Sequence, residues 1–265
     1  MLKKRIIFTL LYCDDYFVHS RNFNLQKVGD VNWLENNYNF NKISNFIDEL
    51  IIIDISRSKK NIDSFIESVQ RITSSCFMPI TLGGGIDDLE KAKLLLSNGA
   101  DKVIINTNLN LSIAKEISKN YGEQSIIAGV DFKKIGEKYF IYKNNASKKI
   151  NISLSKYLSQ IDKLPIGEIL LNSIDKDGTG NGLDLKVCDN LKKIKKSVII
   201  SGGCGNVRHF IEGLNKKEID AISTANLLNF VGDGIKKARE DLLKANFNLP
   251  IWKVDITKNL KDVFK

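Results

Sequence analysis

Apolar positions in this chain alternate between short continuous runs and stretches with helical spacing. Arg5–Leu11 is an almost unbroken apolar run, as expected of a strand buried on both faces. Leu50–Ile55 reads as a second strand. Asn61–Ser75 then places Ile62, Phe65, Ile66, Val69 and Ile72 on one face of a helix. The alternation continues through strand Pro79–Leu82, helix Asp87–Ser97 with its stop at Asn98-Gly99, strand Val103–Ile105 and helix Leu111–Lys119. It resumes with strand Ser125–Val130, helix Leu154–Ile161, strand Glu168–Asn172 and helix Leu185–Ile194. Strand Val198–Ser201, helix Val207–Leu214, strand Ile219–Ser223 and helix Gly234–Ala245 complete it.

Eight strands alternating with helices, four strands per half, and joined by right-handed crossovers predict an α/β protein whose parallel sheet closes into a (β/α)8 barrel. Three segments stand outside the pattern. Cys13–Asn41 is polar but carries Tyr16, Phe17, Phe23 and Trp33, and is expected to be a loop folded over something. Tyr139–Tyr142, before Asn144-Asn145, predicts an added hairpin. Ile251–Lys265 is weakly patterned and reads as an appendage.

The pattern is also repeated. Thr81-Leu-Gly-Gly-Gly and Ser201-Gly-Gly-Cys-Gly place Gly84 and Gly203 119 positions apart. The same offset relates Glu49 to Glu168 and Asp101 to Asp220, each ahead of an apolar run. Residues 1–250 are therefore expected to form one barrel of two similar halves, about 1–122 and 123–250, with 251–265 appended.

Composition narrows the function. No apolar run approaches the roughly 20 residues of a membrane span. The basic then apolar start lacks a small-residue cleavage site, so a cytoplasmic protein is expected. Cys13, Cys76, Cys188 and Cys204 have no metal-ligand spacing, and the two histidines, His19 and His209, exclude a His-rich centre. Neither a metal nor a cofactor is expected. The net charge of +9 is scattered, with one run at Lys192–Lys196, and fits a solvated surface that attracts anions rather than nucleic acid.

In such a barrel the chemistry sits at the C-terminal ends of the strands. Glycines there let backbone N–H groups approach an anion, helped by the following helix N-terminus. One phosphate site would combine Gly83 and Gly84 with Asn106 and Thr107. A second would combine Asp177, Gly178, Gly202 and Gly203 with Ala225 and Asn226. The structural alternative is that these glycines only make tight turns, which a duplicated pair at equivalent strand ends disfavours. A ligand with two phosphates is expected. Asp131, ending an apolar strand between the two sites, is the candidate for proton transfer, the alternative being an acceptor for loop amides.

Asp48-Glu-Leu-Ile-Ile-Ile-Asp-Ile, Leu82-Gly-Gly-Gly-Ile, Gly99-Ala-Asp-Lys-Val-Ile-Ile-Asn-Thr, Gly167-Glu-Ile-Leu-Leu-Asn-Ser-Ile-Asp-Lys-Asp-Gly-Thr and Ser201-Gly-Gly resemble the cyclase subunit family of imidazole glycerol phosphate synthase, from Leu2 to about Pro250. The resemblance implies ammonia received from a glutaminase bound at the N-terminal face. It also implies a bis-phosphorylated ribonucleotide cleaved and cyclised at the other face. It makes Arg5, Glu49, Lys102 and Glu168 the charged ammonia gate, turns Gln124 toward the glutaminase, and makes Asp131 catalytic.

Other positions depart from that family. Leu11 replaces its second catalytic aspartate, and Asp14 and Asp15 lie three and four residues further on. His19 stands for its loop lysine, Asn226 for a phosphate-site serine and Asn172 for a threonine. Asp54 and Ser173 are further candidates on the active face. The missing aspartate resembles a branch in which the barrel and its glutaminase serve a third, sugar-amidating enzyme in surface-polysaccharide synthesis. That reading leads here, with a histidine-pathway cyclase as the alternative. The third reading is a non-catalytic scaffold that binds phosphate and activates the glutaminase, and the charged gate weighs against it.

Overall fold

The computed structural model describes residues 3–38, 40–57, 60–74, 77–226 and 234–250, with the side chains of Asn41 and Lys42 left aside. The expected appendage 251–265 lies outside the described residues. In chain order the strands are β1 (Arg5–Cys13), β2 (Tyr16–Arg21), β3 (Asn24–Gly29), β4 (Glu49–Asp54), β5 (Ile80–Gly83), β6 (Lys102–Ile105), β7 (Ile126–Ile135), β8 (Lys138–Lys143), β9 (Lys148–Ser153), β10 (Glu168–Ser173), β11 (Ser197–Ser201) and β12 (Ala221–Thr224). The helices are α1 (Val31–Asn37), α2 (Phe40–Ile43), α3 (Ile62–Thr73), α4 (Leu89–Ser97), α5 (Leu111–Tyr121), α6 (Leu154–Ile161), α7 (Val207–Leu214) and α8 (Gly234–Lys244).

β1, β4, β5, β6, β7, β10, β11 and β12 pair in parallel as a ring, closed by β12 on β1 and by β7 on β10. This is a (β/α)8 barrel. The period of two along each strand divides the core. Ile6, Phe8 and Leu10 pack outward with the helices, while Ile7, Ile51, Ile104, Ile127, Leu170 and Ile199 form a separate cluster inside the ring. Polar residues open the helices: Asn61, Asp88, Asn110, Ser153 and Asn206 each accept a bond from a first-turn N–H.

The duplicated aspartates have a structural task. Asp101 accepts from the Ile80 N–H at 2.8 Å, and Asp220 from the Val198 N–H at 2.9 Å, each tying its strand to the one before. Asp48 does the same for Ile6 at 2.8 Å and also pairs with the buried Arg239 of α8.

Two expectations are corrected. Cys13–Asn41 is not a loop: it forms the β2–β3 hairpin and helices α1 and α2. Two-residue turns at Asp14-Asp15 and Asn22-Phe23, all at positive φ, return the chain on itself. Its aromatics Phe17, Tyr38 and Phe40 are buried in the outer core. Leu185–Ile194 is not a full helix, and only Leu185–Asn190 forms 3₁₀ turns. Val187, Cys188, Asp189 and Asn190 are weak helix formers, and Asp184 makes no side-chain cap there. The hairpin expected after β7 is present as β8–β9.

Candidate functional site

Arg5, Glu49, Lys102 and Glu168 are the first residues of β1, β4, β6 and β10, and all four meet at the barrel floor. Arg5 bridges both glutamates, with Nη1 3.1 Å from Glu49 Oε2 and Nη2 against Glu168. Lys102 bridges the same pair at 2.9 and 2.6 Å. Thr81 adds a bond to Glu49 at 2.6 Å. Burial works against the charge of Glu168, yet Arg5 and Lys102 hold its carboxyl below the usual range. The apolar layer of Ile7, Ile51 and Ile199 lies next along the strands, and above it Thr9 and Ser223 share a hydrogen bond.

Beyond that layer, at the C-terminal strand ends, opens a cavity of about 430 Å³. Asp131 lines it from β7, half-buried. Asn106, after β6, donates to its Oδ2 at 2.6 Å, and Asn172, on β10, donates to Oδ1 at 3.1 Å. Burial pushes the Asp131 carboxyl up to about 6, the two amides oppose that, and the charge of Asp177 adds to it. The group therefore titrates near neutrality, as a proton-transfer group requires. Leu11 faces the same cavity from β1. Asp15 does not compensate: it accepts from Tyr12 Oη at 2.7 Å and from Ser64 of α3, while Asp14 is exposed.

Two glycine edges flank the cavity. Gly84 adopts φ 126°, and a Cβ there would lie 2.4 Å from the Asp54 carbonyl oxygen. Gly203 adopts φ 94°, and a Cβ there would lie 2.2 Å from the Gly182 carbonyl oxygen. Both positions need glycine for conformation and for close approach. Gly84, Asn106 and Thr107 line the first side. Gly83 stands apart from them and packs on Ile104, where a Cβ would meet Cγ2 at 2.0 Å. On the second side a smaller pocket of about 40 Å³ gathers Asp177, Gly178, Gly202, Gly203, Ala225 and Asn226. His19 also lines it, its Nε2 buried with no hydrogen-bond partner among the described residues.

Each hairpin is tied across the mouth. Asn22 and Phe23 at the β2–β3 tip donate backbone N–H groups to Asp177, and Ser20 donates its hydroxyl to Asp177 Oδ2. Lys143 and Asn144 of the β8–β9 hairpin bond Thr107 at 2.8 and 3.1 Å. The hairpin that follows β1 thus frames the second glycine side, and the hairpin that follows β7 frames the first.

Two predicted residues serve the frame instead of the cavity floor. Asp54 is buried, accepts from Ser56 and pairs with Lys60 at 3.0 Å. Ser173 is buried behind Gly202, its hydroxyl without a hydrogen-bond partner among the described residues. Gln124 is exposed and donates to the Tyr121 carbonyl at 3.2 Å. Sequence reasoning missed Ser20, Arg57 and Lys60 on the cavity wall. Only the hairpin places Ser20 there, and no local signal in the chain announces it.

Residues 24–232 match the model of a family described as Histidine biosynthesis protein. The chain belongs to that family. It is 47% identical over 243 residues, 91% of this chain and 90% of the other, to a Parasynechococcus marenigrum protein provisionally named imidazole glycerol phosphate synthase subunit hisF2. It is 34% identical over 258 residues to the imidazole glycerol phosphate synthase subunit HisF of Pelodictyon phaeoclathratiforme, covering 95% of this chain and 100% of that one. The HisF of Bacillus cereus is 35% identical over 248 residues, 90% of this chain and 97% of the relative. Among the described residues no helix is long and apolar enough to cross a membrane, and no cluster of three or more His, Cys, Asp or Glu could hold a metal ion.

Proposed function

We propose that this chain is the cyclase subunit of an imidazole glycerol phosphate synthase. It would take ammonia from a glutaminase at the N-terminal face and use it on a bis-phosphorylated ribonucleotide at the C-terminal face. The observation that carries this reading is Asp131, a carboxyl titrating near neutrality inside a cavity flanked by two glycine edges. The edges suit the two phosphates, because backbone N–H groups and helix N-termini favour anions. The four-charge ring at the opposite end of the barrel, with an apolar layer behind it, supports entry of a small neutral amine there.

One residue favours a second reading. Leu11 can neither accept nor donate a proton, which fits a barrel passing ammonia to a third enzyme that amidates a nucleotide sugar. In a scaffold without ammonia transfer, Arg5 and Lys102 bridging the same two glutamates would serve stability alone.

Glutamine labelled with ¹⁵N at the amide, supplied with the glutaminase partner, decides between them. Label in the imidazole ring of the product supports the cyclase. Label in an amidino group on a nucleotide sugar, with none in imidazole, would replace it with the second reading.

A further inference from the structure

Ammonia chemistry at a carbonyl needs one group that takes a proton and one that gives it. Asp131 is one such group, and Leu11 leaves the other place without a titratable side chain. The cavity wall holds two more carboxylates. Asp54 is committed: Lys60 pairs with it at 3.0 Å and Ser56 donates twice to its other oxygen.

Asp177 is different. It is buried and has no cationic partner within ion-pair distance among the described residues. Ser20 and the Phe23 N–H, at 3.0 Å, both bind Oδ2, whereas Oδ1 carries no hydrogen bond among those residues. The carboxyl is thus fixed from behind with one oxygen unengaged. It lines both the main cavity and the smaller glycine pocket. Its position relative to Leu11 follows from the hairpin. Leu11 pairs with Val18, and Ser20, two residues on, holds Asp177. A loop that begins after β10 is thereby drawn to the side of the cavity where β1 ends.

We infer that Asp177 is the second proton-transfer residue of this cavity, standing in for the group that Leu11 lacks. The inference rests on the cyclase reading. Burial raises the Asp177 carboxyl above its ordinary range, against the bonds from Ser20 and Phe23 and the charge of His19, and its own charge bears on Asp131. Two carboxyls that line one cavity and repel each other in this way favour a state with one protonated and one ionised.

The ammonia lone pair forms the C–N bond while the carbonyl π pair moves to oxygen. That oxygen takes the proton of Asp177, and the nitrogen gives one to the Asp131 carboxylate. In the dehydration that follows, Asp131 returns its proton to the departing hydroxyl, which leaves as water with the C–O pair. The nitrogen gives its next proton to Asp177, so an imine forms and both carboxyls are restored.

The test is Asp177→Asn in the full chain, assayed with the bis-phosphorylated ribonucleotide and ammonium salt. An amide oxygen still accepts from Ser20 and Phe23. The expected result is a fall in kcat of at least about 100-fold with KM changed less than about threefold, and loss of one limb of the kcat–pH profile. Adding Leu11→Asp to that variant should restore kcat at least about tenfold. An active wild type whose kcat and both limbs survive Asp177→Asn overturns this inference alone. A wild type without turnover overturns the cyclase reading and this inference with it. If Asp177→Asn does not fold, Asp177→Glu replaces it. Displacing the carboxyl by one methylene should lower kcat at least about tenfold, and unchanged kcat overturns the inference.

Discussion

Asn172 donates to Asp131 at 3.1 Å from the position directly in register with it on the neighbouring strand. Asn106, just after β6, holds the other carboxylate oxygen, so the group is aimed from both sides. Both bonds favour the ionised form, against burial. Activity that uses the Asp131 carboxylate should therefore rise with pH through about 6. Asn172→Leu removes one of these bonds, and the acidic limb of the kcat/KM profile should move up by about 1 pH unit. An unshifted limb would show that another group governs it.

The same carboxyl carries a stability cost. Its folded pKa of about 6 stands above the ordinary 3.8, so the folded state holds the proton more tightly than the unfolded chain. Stability then falls as pH rises from about 4 to 6. Asp131→Asn should be more stable than wild type by about 1–2 kcal/mol at pH 7, after discounting for its partial exposure, with the gain gone by about pH 4. Urea unfolding at the two pH values reads this directly. Equal differences at both would refute it.

At the barrel floor the sign is reversed. Glu168 is held below the usual range, so its contribution is present above about pH 4.5 and is lost as acid protonates it. Arg5→Ala leaves Glu49 and Glu168 with Lys102 alone and should cost about 1–3 kcal/mol in unfolding experiments. If ammonia passes through the ring, it should also lower glutamine-dependent turnover more than ammonium-dependent turnover. An equal loss in both would remove the ring from the ammonia route.

His19 gives the smaller pocket a pH dependence. Burial lowers its pKa, opposed by the charge of Asp177. An anion beside Nε2 favours the protonated ring, and it also favours protonation of Asp177, whose carboxyl is already raised. Sulfate keeps its charge across the range and serves as the probe. Its affinity should rise about tenfold from pH 7.5 to 5, and His19→Gln should flatten most of that slope. A slope that survives in full would place the sensor elsewhere.

The barrel was legible because strand and helix periods differ and the chain repeats them. The 119-residue offset joined three pairs with distinct tasks. Glu49 and Glu168 share the ion ring, Asp101 and Asp220 tie strands, and Gly84 and Gly203 pass close to backbone carbonyls. The β2–β3 hairpin was not legible. Its own turn is Asn22-Phe23 and the turn leading into it from β1 is Asp14-Asp15, and neither carries the Asn-Gly or Asp-Gly signature of a two-residue turn. Losing the hairpin meant losing Ser20, and with it the reason Asp177 faces the cavity. Asp131 could be named because it follows the apolar run Ser125–Val130, although β7 continues past it to Ile135. Its two amide partners lie 25 and 41 residues away in sequence, a distance no local pattern spans.

On the proposed function, this cavity itself performs the cyclisation despite Leu11. Turnover of the bis-phosphorylated ribonucleotide with excess ammonium salt tests it most directly, with wild type beside Leu11→Asp and Asp131→Asn. Free ammonia bypasses the glutaminase, so the assay isolates this chain. Wild type should yield imidazole glycerol phosphate, and Asp131→Asn should lose at least about 100-fold in kcat. A silent wild type, with activity appearing only in Leu11→Asp, would contradict that function and identify a cyclase framework turned to another ammonia acceptor.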